Sequence, residues 1–184
     1  MRDMENPPVY NPEKDGEQKL YEGDYPAHIS SLECKTYNDS TVYDYKFKIA
    51  TEAHSMTIDD PETKETVPLS NMVGKEFNLG RDASVWLNPN PGDNDGWKNR
   101  KYIEFHTDVC GLKFPTKTIE DVEVVTLQEV EIQDVFGIPV IITLAYEFRK
   151  DDKTKKYMKV VKVTPWDAGK RISKEDAEEN DLPF

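Results

Sequence analysis

The side chains best suited to chemistry in this chain are aromatic and basic ones. Trp86 and Trp97 offer flat π faces on which nucleobases could stack. Lys46, Lys48, Arg81, Arg100, Lys101, Arg149, Lys159 and Lys162 offer positive charge for a phosphate backbone. Stacking faces beside a positive groove are what sequence-independent binding of a single strand requires, with each stacked base contributing ~1–3 kcal/mol. Either indole could instead fill the core, as large aromatic side chains commonly do.

Catalytic spacings are missing. Gly74, Gly80, Gly92 and Gly96 lack the spacing of a phosphate loop and the Lys-Ser or Lys-Thr that follows one. There is no Ser nucleophile elbow and no His-Glu-x-x-His helix. His106 and Cys110, one helical turn apart, are the only pair with ligand-like spacing, whereas a zinc site usually requires four ligands. The two thiols, Cys34 and Cys110, read as small buried side chains of a reducing compartment. No catalytic residue, metal or cofactor is expected, and the chain reads as a binding protein, not an enzyme.

The elements that must position these residues are mostly strands. Tyr43, Tyr45, Phe47 and Ile49 alternate with Asp44, Lys46 and Lys48, which predicts a strand with an aromatic core face and a charged outer face. A first strand is expected over 23–32. Strand is expected again over 74–88, broken at Gly80-Arg81-Asp82, with Trp86 facing away from Val85 and Leu87. The run from Asn88 to Gly96 is a loop by its Pro, Gly and Asn content. Asp95 or Asn94 is placed to cap a helix carrying Trp97, Tyr102, Ile103, His106, Val109 and Cys110, with Gly111 as its stop. Residues 122–133 read as a strand, and 138–148 and 157–163 as a hairpin with a charged tip.

This order, strands with one helix between the middle strands and a closing strand pair, predicts a mainly β protein. The expected fold is a five-stranded OB-type barrel with insertions, a small β-sandwich being the alternative. The expected domain spans 21–166, after an N-terminal arm over 1–20 rich in Pro, Asn and charge and before an acidic, disordered tail over 167–184. No apolar run approaches a membrane span or a signal peptide, so the expected compartment is the cytoplasm, or a host's cytoplasm for a viral protein.

The 184-residue chain carries a formal charge of −12, which at first argues against phosphate binding. Residues 1–24 and 175–184 together hold −9 of it, leaving only −3 over residues 25–174, and residues 149–162 carry seven basic side chains against two acidic ones. The acidity is a property of the ends.

After Glu178-Glu179 the sequence closes on Asp181-Leu182-Pro183-Phe184. This ending resembles the C-terminal tip of bacterial single-stranded DNA-binding proteins. The remainder, with Tyr21-Glu22-Gly23-Asp24-Tyr25 early and a late strand pair closing near Pro165-Trp166, looks like the bacteriophage members of that class. The resemblance implies an OB fold that coats single-stranded DNA without sequence preference in replication, recombination or repair. It also implies a tip through which Asp181, Leu182, Pro183 and Phe184 recruit a polymerase, primase, helicase or nuclease. The alternative function is a protein–protein or recombination accessory module that binds no DNA.

Overall fold

The computed structural model describes residues 7–11, 19–89 and 96–180. The expected helix cap at Asn94 or Asp95 and the tip Asp181–Phe184 lie outside the described residues, as does most of the N-terminal arm. The protein is mainly β and antiparallel.

The longest strands are β1 (Gly23–Tyr37) and β2 (Ser40–Ile49), joined by a tight turn in which Asn38 takes a left-handed conformation, φ 52°. β1 also pairs with β9 (Pro139–Phe148), and β9 with β10 (Lys156–Pro165). On the other side β2 pairs with two short strands, β5 (Glu76–Asn78) and β6 (Val85–Leu87). The sheet order is β10-β9-β1-β2-β5 with β6 beside β2.

A closed five-stranded barrel is not what forms. The two edges of the sheet meet through a single parallel bridge, Leu79 to Val160, reinforced by the Gly80 N–H donating to the Val160 carbonyl at 2.8 Å. β5 is too short to carry a ladder further. Two ribbons stand outside the sheet, β3 (Thr57–Asp59) with β4 (Thr66–Pro68) and β7 (Thr116–Ile119) with β8 (Val122–Val125).

The alternation of β2 decides where the core lies. Tyr43, Tyr45, Phe47 and Ile49 are buried and face Ile29, Val140, Ile142, Leu144 and Val160. Helix α1 (Gly96–Glu104) continues as a π-helical turn over Phe105–Val109 and closes the core with Tyr102, Phe105 and His106. Gly111, at φ 73°, then ends it. His106 is fully buried: one ring nitrogen lies 2.8 Å from the Tyr102 carbonyl and the other 2.7 Å from the Tyr45 hydroxyl. The carbonyl can only accept, so Nδ1 carries the proton and Tyr45 donates to Nε2. With both nitrogens so engaged and burial depressing its pKa to about 4, His106 is a neutral core residue. Among the described residues no group of three or more potential ligands could hold a metal ion.

Three segments differ from the sequence expectation. Residues 122–133 form only the second half of the β7–β8 ribbon followed by the short helix α2 (Ile132–Val135), which Glu131 and Asp134 cap reciprocally. β1 is buried on both faces over Tyr25–Ile29, where alternation alone would expose Pro26 and His28. The cover comes from the third difference: residues 167–172, expected to begin a disordered tail, lie with Trp166 against the body as a strap. The Lys170 carbonyl meets His28 Nε2 at 2.9 Å, and the Ile172 N–H donates to the Gly137 carbonyl at 3.0 Å. Helix α3 (Lys174–Asn180) follows. Among the described residues no helix is long and apolar enough to cross a membrane.

Candidate nucleic-acid interface

Trp86 occupies the middle of β6, between buried Val85 and partly buried Leu87, and its cross-strand partner is Val42 on the outward face of β2. Its indole N–H donates to Ser84 Oγ at 3.1 Å, so the ring is fixed with one polar atom satisfied. Tyr37, at the end of β1, places its ring centroid 6.0 Å from that of Trp86.

The start of α1 brings the second indole to the same place. Asn99 accepts from the Asn88 N–H at 2.8 Å and donates to the Asn88 carbonyl at 2.9 Å, so the first turn of the helix is clasped to the end of β6. Lys98 Nζ then lies 5.6 Å from the Trp86 ring centre and 5.8 Å from that of Trp97, and Lys101 Nζ lies 5.6 Å from Trp97. These are cation–π distances. The result is a row of aromatic and cationic groups, with Tyr37 and Trp97 about half exposed.

The row borders a groove of about 430 Å³ whose lining includes Tyr37, Val42, Asp44, Arg81, Trp86 and Lys159. Its far wall is the β9–β10 hairpin. Tyr157, half exposed, pairs with Glu147 across that hairpin, and Lys159 pairs with Ala145, so all four side chains share one face. Gly80 allows the hairpin to approach: a Cβ there would stand 2.6 Å from a Glu147 carboxylate oxygen and 3.3 Å from the Val160 carbonyl.

Two carboxylates sit among the positive groups. Glu147 takes the Arg81 Nε–H at 2.9 Å and the Arg81 backbone N–H at 3.0 Å, while Arg81 also donates to the Phe148 carbonyl. Burial pushes the Glu147 pKa up, but the hydrogen bonds and charge of Arg81 outweigh it and hold the carboxyl below its ordinary range. Asp44 accepts from Asn78 at 3.1 Å and lies 4.0 Å from Lys35.

Of the residues singled out from the sequence, Arg81, Trp86 and Lys159 line the groove, and Trp97 is linked to Trp86 through Lys98, with Lys101 against its ring. Lys46 and Lys48 point outward from β2, further along the sheet. A bulge between Val160 and Lys162 turns Lys162 toward a separate shallow cleft shared with Lys101 and Asp82. Arg100 makes an exposed 3.9 Å contact with Glu104 one turn along α1, and Arg149 is held by Asp151 at the hairpin tip, 2.9 and 2.7 Å. Neither lines the groove.

Tyr37, Lys35, Lys98 and Tyr157 are additions that the sequence expectation lacked. Lys101 lies four residues after Trp97, a spacing that places a side chain over the preceding turn, whereas Lys98 adjoins Trp97 in sequence and no helical spacing points to it. Tyr37 directly precedes the Asn38-Asp39-Ser40 turn, so it had to lie at a hairpin end. No family model matches the chain, and no curated protein or solved structure matches it either.

Proposed function

We propose that this protein binds single-stranded nucleic acid, with DNA as its substrate, in the groove between Trp86 and the β9–β10 hairpin, and that it does so without catalysis. The observation that carries the reading is the row Tyr37, Trp86, Lys98, Trp97, in which two half-exposed rings flank a partly buried one and the Lys98 ammonium lies between the two indoles, beside a groove holding Arg81 and Lys159. Stacking on such rings is indifferent to base identity because every base has a π face.

The strand connectivity supports an OB-type fold, open at one seam. Taking β1, β2, β5, β9 and β10 as the five strands, β1 pairs with both the second and the fourth. The third approaches the fifth in parallel at Leu79–Val160, and α1 falls between the third and fourth. In that fold, single strands lie across the second and third strands between the first hairpin and the last, which is where Tyr37, Trp86 and Tyr157 stand.

Residues Asp181–Phe184 complete the proposal as the segment that recruits replication, recombination or repair proteins. An acidic run ending in Leu182 and Phe184 suits an apolar pocket with a basic rim. The test is a fluorescence titration with oligo-dT at two salt concentrations. Quenching of tryptophan emission and a steep loss of affinity with salt are expected. No binding at low salt, with or without residues 175–184, refutes the reading.

A second reading, a protein–protein module, has one observation in its favour. The β7–β8 ribbon exposes Ile119, Val122 and Val125. It predicts partner binding lost on disrupting that ribbon, with no affinity for DNA in any form of the protein.

A further inference from the structure

The cross-strand register makes the outward side of β2 one continuous face. Val42, Asp44, Lys46 and Lys48 follow one another along it. At one end Val42 sits between Lys35 and Trp86; at the other, Lys48 sits between His28 and Glu76. The six-residue separation is ~20 Å at ~3.3 Å per residue. The first end is the groove already described. The second opens on a different and larger cavity, about 620 Å³.

That cavity is walled by Trp166, Phe136, Ile172 and Ile49 and rimmed by Lys170 and Lys174. Its walls are fixed. His28, only 8% exposed, is held by the Lys170 carbonyl and lies 5.7 Å from the Trp166 ring. Gly169 lets the backbone rest on the indole, since a Cβ there would stand 2.5 Å from the ring. Gly137, at φ 76°, does the same for Ile172.

We infer that this cavity is a second base-binding subsite on the same strand path, occupied by a nucleobase of a single strand whose earlier bases stack on Trp86 and Trp97. The inference rests on the function proposed above. Three features of the cavity fit a base. The indole and apolar walls suit a planar ring. Glu52 and Glu76 also line the cavity and supply acceptors for base N–H groups while repelling a bare phosphate. The phosphates are thereby left to the rim, at Lys170 and Lys174, and to Lys46 and Lys48 along the way. At a stacked rise of ~3.4 Å per nucleotide, the ~20 Å track spans about six nucleotides, within the range of OB-type sites.

The test compares oligo-dT of about five nucleotides, too short to reach both ends, with one of about twelve. Trp166→Leu and the double variant Lys170→Gln, Lys174→Gln are titrated with each at about 0.15 M salt, where charges ~20 Å apart are screened from one another. The expected result is unchanged affinity for the short oligomer and roughly tenfold weaker binding of the long one, the size of one lost stack. The double variant alters exposed side chains and keeps the test valid should the Trp166 variant fold poorly. A long oligomer carrying 5-iodouracil should crosslink to Trp166 as well as to Trp86 or Trp97. Equal losses at both lengths, no loss at either, or crosslinks confined to Trp86 and Trp97 overturn this inference and leave the groove standing. Binding of neither length by the unaltered protein overturns both.

Discussion

Arg81 meets Glu147 twice, once through its guanidinium and once through its own backbone N–H, so a single carboxylate holds both the side chain and the main chain of the residue that follows the Leu79–Val160 seam. The arrangement places a negative charge inside the groove proposed to accept phosphates. Glu147→Gln keeps a hydrogen-bond acceptor and removes the charge. It should tighten oligo-dT binding several-fold at low salt and lower stability by less than ~1 kcal/mol, because the pair is partly exposed. A titration and a urea melt check the two halves. The Glu147 pKa is depressed on folding, so the pair's contribution is present above the ordinary carboxylate range of ~4.3 and lost as pH falls through the folded value below it.

Removing the fixed indole should cost the most binding. Trp86→Ala is expected to weaken oligo-dT affinity by ~1–3 kcal/mol, from about fivefold to more than a hundredfold. Trp97 is half exposed, so Trp97→Ala should weaken binding while leaving the melting temperature within about 2 °C of the parent. Anisotropy with a labelled oligomer reads the first effect and calorimetry the second.

Burial of neutral His106 sets a pH dependence of stability. Its folded pKa, about 4, lies below the unfolded value of 6.5, so below pH 6.5 the unfolded chain binds the proton and the folded one does not. Stability should therefore fall as pH drops from 6.5 towards 4, by up to ~3 kcal/mol from this group, and His28, also depressed chiefly by burial, adds to the same window. His106→Gln should be less stable at pH 7 yet lose less between pH 7 and pH 5. Urea midpoints at the two pH values decide it.

The strap is seated on two glycines, Gly169 and Gly137, of which only Gly137 has a positive φ. At Gly137 the backbone has φ 76°, and a Cβ would fall 1.9 Å from the Ile172 carbonyl oxygen. Gly137→Ala must displace the strap as well as bear an unfavourable backbone conformation. A loss of ~2 kcal/mol or more is expected, together with faster proteolysis after Trp166, measured by melting and by timed digestion.

What the sequence made legible follows period and charge. β2, β6 and the β9–β10 hairpin stand where alternation places them, because each has one face in the core and one outside. The Val-rich stretch over 122–133 misleads because its aliphatic residues divide between two settings: Val122 and Val125 sit exposed on a ribbon with no sheet beneath it, while Val130 enters the core from just before α2. The strap was hidden for the opposite reason. Trp166, Gly169 and Ile172 are too few to form a period, and their partners, Pro139, His28 and Gly137, are distant in sequence. The same limit applies to the groove. Trp86 and Trp97 could be named from the sequence, but that they share Lys98 depends on the Asn99 clasp, a contact between side chain and backbone that composition does not announce.

That clasp has a practical corollary. By tying residue 88 to residue 99 through two hydrogen bonds, it fixes the spacing of the chain on either side of residues 90–95 without drawing on those residues. Two indoles borne on separate elements are thus kept in register by one amide side chain, and Asn99→Ala, which touches neither ring, would let them drift apart.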